Sequence, residues 1–230
     1  MTGTAVPGFL PSTHGFHFAN DFPHVPLRHI GIPGVITLPI GDASNGLCGG
    51  MAFAVRDLFE ANRTPPPDTT PPGSGPLFDF LVERLMNSYS LPWGPAKYLE
   101  LMNPALPDGE SLWSRLGFAP HGRAWRMINE EWPKVRADLD GGKLSPLGLV
   151  KVKSMNPVDL GQDHQVLAYA YDLTGGRLTL RIYDPNWPNR DNVAMSLPVT
   201  DPSHPASVSY SPASTVFSFF RVDYTRATPP

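Results

Sequence analysis

An α+β fold, helical in its first half and built on an antiparallel sheet in its second, is what this sequence predicts. Three observations carry that expectation. Apolar residues recur at helical spacing after Cys48 and again after Pro76. Short runs rich in β-branched and aromatic residues replace them after Lys143. Two of those runs are separated by Asp172-Leu173-Thr174-Gly175-Gly176, which supplies the glycines that a hairpin turn requires.

Taken in order, residues 1–40 are rich in Gly, Pro, Phe and His without sustained periodicity, which predicts an extended arm held onto the core by its apolar side chains. Residues 41–142 read as mainly helical. After Cys48, residues Met51, Val55, Leu58 and Phe59 mark one helix face, with Ser44 or Asn45 available as N-cap and Asn62 near the stop. The stretch 62–75 contains Pro65-Pro66-Pro67 and Pro71-Pro72, which remove backbone donors and predict a loop within one domain. Pro76 suits the first position of a second helix whose apolar stripe is Leu77, Leu81 and Leu85. Shorter helices are expected at 95–102, 123–130 and 133–139, the last stopped by Gly141-Gly142. Residues 143–230 read as mainly β, with strands expected at 147–152, 164–171, 177–183, 192–197 and 216–222.

At 230 residues, 41% of them hydrophobic, the chain can bury one sizeable core, so residues 1–230 are expected to form a single domain. The formal net charge of −3, with no cluster of Lys or Arg, argues against nucleic acid as a partner. One cysteine forms no intrachain disulfide, and its thiol is left for other work. With no signal-peptide pattern and no apolar run long enough to cross a bilayer, the expectation is a soluble chain without a membrane partner. A single cysteine suits a cytoplasmic chain or a secreted one without disulfides.

Cys48 lies in Asn45-Gly46-Leu47-Cys48-Gly49-Gly50-Met51, where a loop becomes a helix. A helix start gathers unpaired N–H groups and the positive end of the helix dipole, and both favour thiolate over thiol. His164 opens one strand and Asp184 closes the next, so the hairpin brings them onto neighbouring antiparallel strands. A cysteine nucleophile needs a base, and the base needs a group to orient its ring; Cys48, His164 and Asp184 fill those roles in that order. Each has an ordinary structural reading too: a small buried hydrophobe, a strand-edge histidine, and a turn residue in Asp184-Pro185-Asn186. The three occurring together favour the chemical reading.

Those same segments carry a family resemblance. Gly46-Leu47-Cys48-Gly49-Gly50, the run from Trp132-Pro133 to Leu139-Asp140-Gly141-Gly142-Lys143, Asp163-His164-Gln165-Val166 and Tyr183-Asp184-Pro185-Asn186 resemble the papain-like cysteine peptidase superfamily, and within it the C39-like branch. The likeness spans residues 42–197. It implies a helical lobe packed on an antiparallel β lobe with the active site in the cleft between, a Cys-His-Asp triad, a peptide, amide or acyl substrate, and no cofactor. The family usually places a glutamine six residues before the cysteine to donate to the oxyanion, and here that position is Asp42. Asn45, Asn20 or the backbone N–H of Cys48 are the alternative donors. Asn186, followed by Trp187, is an alternative to Asp184 as the residue orienting His164, since the pair resembles the Asn-Trp of papain itself; Trp187 is then expected to shield the histidine from water.

Four histidines, His14, His17, His24 and His29, stand in the arm beside Asp21, in a spacing that matches no metal motif, so no metal is expected. If the arm drapes across the cleft, His17 or Asn20 would contact substrate. Trp93, Trp113, Trp125 and Trp132 are expected mostly in the core. The leading expectation is a cysteine-dependent hydrolase of the peptidase or amidase type, working through an acyl-enzyme. A transglutaminase-like or acyltransferase enzyme on the same triad is the enzymatic rival, and a non-catalytic papain-like binding module is the rival motivated by Asp42.

Overall fold

The computed structural model describes residues 2–27, 42–89, 93–212 and 214–230. In chain order it runs β1 (Thr2–Ala5), α1 (Pro11–His14), α2 (Cys48–Glu60), α3 (Pro76–Ser88), α4 (Trp93–Met102), α5 (Leu112–Arg115), α6 (Arg123–Trp125) and α7 (Trp132–Asp140). The strands β2 (Ser145–Val150), β3 (His164–Thr174), β4 (Arg177–Tyr183), β5 (Ala194–Pro198), β6 (Ser209–Ser211) and β7 (Ser218–Arg221) follow. This is a mixed α+β chain in which, β1 apart, helices come first and strands second, as the change of pattern near Lys143 predicts.

Helix α2 is buried along almost its whole length, with Met51, Ala52, Phe53, Ala54 and Val55 fully enclosed. Covering a large apolar side chain in this way contributes about 1.5–3 kcal/mol. Its first turn lies close against α3, because a Cβ on Gly50 would stand 2.1 Å from the Leu81 carbonyl oxygen and one on Gly49 2.2 Å from Ser88 Oγ. Farther along, Arg84 of α3 forms a buried ion pair with Asp57 of α2, Nε to Oδ2 2.7 Å. The Tyr224 hydroxyl (2.6 Å) and the Ala227 N–H (2.8 Å) donate to Asp57 Oδ1, so the C-terminal segment is held over these two helices.

The sheet order is β6-β5-β4-β3-β2-β7, antiparallel at every pairing, and β1 pairs with β3 beyond the end of β2. The N-terminal arm therefore contributes a strand, which its lack of alternation does not predict. Phe9, Phe16, Phe18 and Phe22 hold the rest of it to the core, as expected for those described residues. The hairpin between β3 and β4 is tighter than its sequence suggests: Thr174 pairs with Arg177, leaving only Gly175 (φ 58°) and Gly176 (φ 76°) in the turn.

Other expectations are corrected. Neither Ser44 nor Asn45 caps α2; its N-cap is Leu47, without a side-chain hydrogen bond, and the cap in this region is Asp42, which serves the short 3-10 turn Ala43–Asn45 before it. The two helical pieces expected between 123 and 139 are continuous, joined through a π-helical stretch, Arg126–Glu131. Pro133 accounts for the wide turn, since it has no N–H and its ring crowds the carbonyl one turn earlier. Trp113 is 62% exposed, not a core residue, whereas Trp132 is buried. The side chain of Trp93 and all of His29 lie outside the described residues.

Candidate active site

Cys48 is the first residue of α2. Because Leu47 caps nothing, the N–H groups of the first turn stay available, and that of Gly49 donates to the cysteine sulfur together with the N–H of Gln165 at the start of β3. The residue itself is half-buried, so its sulfur is both sheltered and reachable. Burial pushes the Cys48 thiol up; the charge of His164, the hydrogen bond from its ring and the two N–H groups outweigh that and hold it below the ordinary thiol value.

His164 is buried at the head of β3. Its Nε2 donates to Asp184 Oδ1 at 2.7 Å, which leaves Nδ1 for the hydrogen bond to Cys48. Burial alone would favour the neutral ring, yet the negative charges of Asp184 and Cys48 and hydrogen bonds to both raise it to about 10. Asp184 is buried as well, which pushes its carboxyl up. The His164 charge and three donors overcome this and hold it below the usual carboxylate range. Those donors are His164 Nε2 and the Asn186 N–H (2.9 Å) on Oδ1, and the Tyr210 hydroxyl (2.6 Å) on Oδ2. The resting state this favours is a thiolate beside an imidazolium, backed by a carboxylate.

A β-bulge aligns the last two groups. From the turn, β3 and β4 pair as Tyr171↔Leu180 and Ala170↔Arg181, but the next pairs are Ala168↔Ile182 and Leu167↔Tyr183, so Tyr169 is an extra residue. Continued by one position, the shifted register sets Asp184 opposite Val166, on the same face as His164. Without the extra residue Asp184 would fall opposite Leu167, on the other face. Tyr169 is fixed in this role by bonds on both sides: its carbonyl accepts from the Val6 N–H (2.8 Å) and its hydroxyl donates to the Asp191 carbonyl (2.9 Å).

The remaining candidates separate. Asn20 is at the site although it lies in the arm: its Oδ1 accepts from the Leu47 N–H (2.6 Å), its Nδ2 donates to Asn186 Oδ1 (3.2 Å), and its own N–H donates to the Pro185 carbonyl (3.0 Å). Asn186 does not orient His164; its side chain joins Asn20 and only its backbone N–H reaches Asp184. Asp42 accepts from the N–H groups of Ser44 (2.8 Å) and Val25 (3.3 Å), a capping duty. Asn45 is exposed. His17 is hydrogen-bonded to Asn189 (2.6 Å). Trp187 is a surface residue, 37% exposed with the Arg190 guanidinium 4.6 Å over its ring, and the group that closes over Asp184 is Tyr210. Tyr210 is the residue that sequence reasoning misses, because Ser209-Tyr210-Ser211 is a three-residue strand in a Pro- and Ser-rich stretch whose only signal is one polar-apolar alternation. Among the described residues no group of three or more His, Cys, Asp or Glu could hold a metal ion, and no helix is long and apolar enough to cross a membrane.

No family model, curated protein or solved structure matches this chain.

Proposed function

We propose that the protein is a cysteine-dependent hydrolase of papain-like type that cleaves an amide or related carbonyl compound through Cys48, His164 and Asp184. The observation that supports this most directly is the continuous hydrogen-bonded line from the Cys48 sulfur through both ring nitrogens of His164 to Asp184, drawn from a helix start, the head of β3 and the residue just past the end of β4. The Cys48 thiolate attacks the carbonyl carbon, forming a C–S bond while the carbonyl π electrons move to oxygen. As the tetrahedral centre collapses, the bond to the leaving group breaks, and His164 Nδ1 gives that group its proton. His164, now neutral, takes a proton from water, whose oxygen attacks the thioester. Collapse of this second centre releases the carboxylic acid and returns the thiolate and imidazolium. Asp184 holds the ring in one orientation and stabilises its charge throughout.

Asp42, which motivates the binding-module alternative, is engaged in capping, so its carboxylate is no argument against anion stabilisation at Cys48. The pH dependence follows from the two titrations. The reactive pair is lost at low pH as the thiolate is protonated, below the ordinary thiol value, and at high pH as the imidazolium loses its proton near 10. Alkylation by iodoacetamide as a function of pH tests the reading. Wild type should react rapidly well below the ~8.5 of a free thiol, and His164→Ala should revert to free-thiol behaviour. If both titrate as free thiols, the proposal fails.

A further inference from the structure

Resting on the hydrolase reading, the geometry points to Asn20 as a catalytic residue, carried by the N-terminal arm, whose side-chain amide donates a hydrogen bond to the oxyanion formed when Cys48 attacks. Attack at Cys48 generates negative charge on the former carbonyl oxygen, and a site lowers that barrier with donors held ready where the charge develops. The helix start supplies one side of such a hole through the Cys48 N–H. A second donor has to converge from outside α2. Asp42, acceptor-only and engaged in capping, cannot be it.

Asn20 meets the requirement in three ways. Its position is set by the nucleophile's own neighbour: Oδ1 accepts from the N–H of Leu47, the residue next to Cys48. That bond also settles which end of the amide is which, since a backbone N–H can only donate, so the NH₂ end is the one facing away from Leu47. Of the two hydrogens on Nδ2, one goes to Asn186 Oδ1 at a long 3.2 Å, and among the described residues no hydrogen bond takes the other, on a side chain that is half-buried. The short 2.6 Å bond at Oδ1 polarises the amide and makes Nδ2–H a better donor.

The neighbouring backbone is shaped around this side chain. Gly46 has φ 92°, a conformation open to glycine, and a Cβ there would stand 2.5 Å from Asn20 Nδ2. On its other side, Asn20 is fixed by its N–H on the Pro185 carbonyl, one residue after Asp184. The amide thus bridges the nucleophile loop and the Asp184 loop, and sits where both halves of the site meet. Of the amides nearby, Asn186 bonds to Asn20 and to Asp184 rather than to the Cys48 loop, and buried Gln165 turns its Oε1, an acceptor, toward Gly49.

Two reactions of the same sulfur separate this role from mere support. Acylation by p-nitrophenyl acetate passes through an oxyanion, whereas alkylation by iodoacetamide displaces iodide at a saturated carbon and forms none. Asn20→Ala removes both ends of the amide; Asn20→Asp keeps the oxygen that accepts from Leu47 and deletes the donor. We expect Asn20→Asp to slow the p-nitrophenolate burst by ~10²–10³-fold while alkylation stays close to wild type, with Asn20→Ala losing at least as much acylation. Equal acylation in wild type and Asn20→Asp would overturn the assignment. So would a parallel loss of both reactions in both variants, which would make Asn20 a brace for the loop. A wild-type sulfur that alkylates as a free thiol would instead overturn the hydrolase reading beneath it, and a poised wild-type thiolate with an indifferent Asn20 would leave that reading standing.

Discussion

The helical half and the β half of this molecule position their functional groups by different means. Cys48 is placed by backbone: a helix start with no side-chain cap, two glycines that let α2 touch α3, and main-chain N–H groups that solvate the sulfur. His164 and Asp184 are placed by side chains and register: a bulge that turns Asp184 to the correct face and a chain of hydrogen bonds ending at the Tyr210 hydroxyl. The difference matches what each group has to do under the proposed mechanism. A nucleophile must stay reachable and gains most from fixed dipoles that accompany the backbone, whereas a base works only in one ring orientation and needs partners on its far side.

The contrast can be broken most severely where the halves meet. Cys48→Ala should abolish the p-nitrophenyl acetate burst outright. His164→Ala should slow alkylation at pH 6 by ~10²–10³-fold, the fraction of thiolate a free cysteine loses there; an unchanged rate would mean that the helix start alone generates the thiolate. Next comes a change confined to the helical half. Arg84→Ala leaves Asp57 buried without its cation and should lower stability by ~3–5 kcal/mol in urea unfolding, with the alkylation rate of the folded protein unaltered. A change of reactivity in the folded state would show that the α2–α3 contact tunes the sulfur as well as supporting it.

In the β half, Asp184→Asn should cut acylation by ~10²-fold and move the alkaline limb of its pH profile to lower pH, because the imidazolium loses the carboxylate charge that raises it. A limb that does not move would separate His164 from Asp184 electrically. The smallest expected effect is that of Tyr210→Phe, which removes one hydroxyl on Asp184 Oδ2: about 1.5–3 kcal/mol of stability and a small shift of the same limb to higher pH, because the Asp184 charge then has one donor fewer and acts more strongly on His164. A shift to lower pH would mean that the hydroxyl is needed to hold Asp184 ionised and in place beside His164.

The sequence by itself determined the order of the elements and marked the three residues on which the proposed chemistry rests. Periodicity after Cys48 and Pro76 and the β-rich runs after Lys143 are local patterns, and local patterns need no knowledge of neighbours. Cys48, His164 and Asp184 were legible because each stands at an element boundary that glycine, strand or turn residues announce in its own few positions. What only the tertiary structure decided are the contacts between residues distant along the chain. Tyr169 reads as one more aromatic residue in a strand, and its extra place in β3 shows only once β4 is paired against it. Asn20, in an aperiodic arm, and Tyr210, in a three-residue strand, acquire their roles from Leu47, Asn186 and Asp184, none of which lies near them in sequence. Asp42 shows the same limit from the other side, since its place before Cys48 suggests a neighbour of the oxyanion while its hydrogen bonds commit it to a turn. A hydrogen bond is decided by a few tenths of an ångström and by direction, and those are properties of the packed chain that residue type and spacing do not carry.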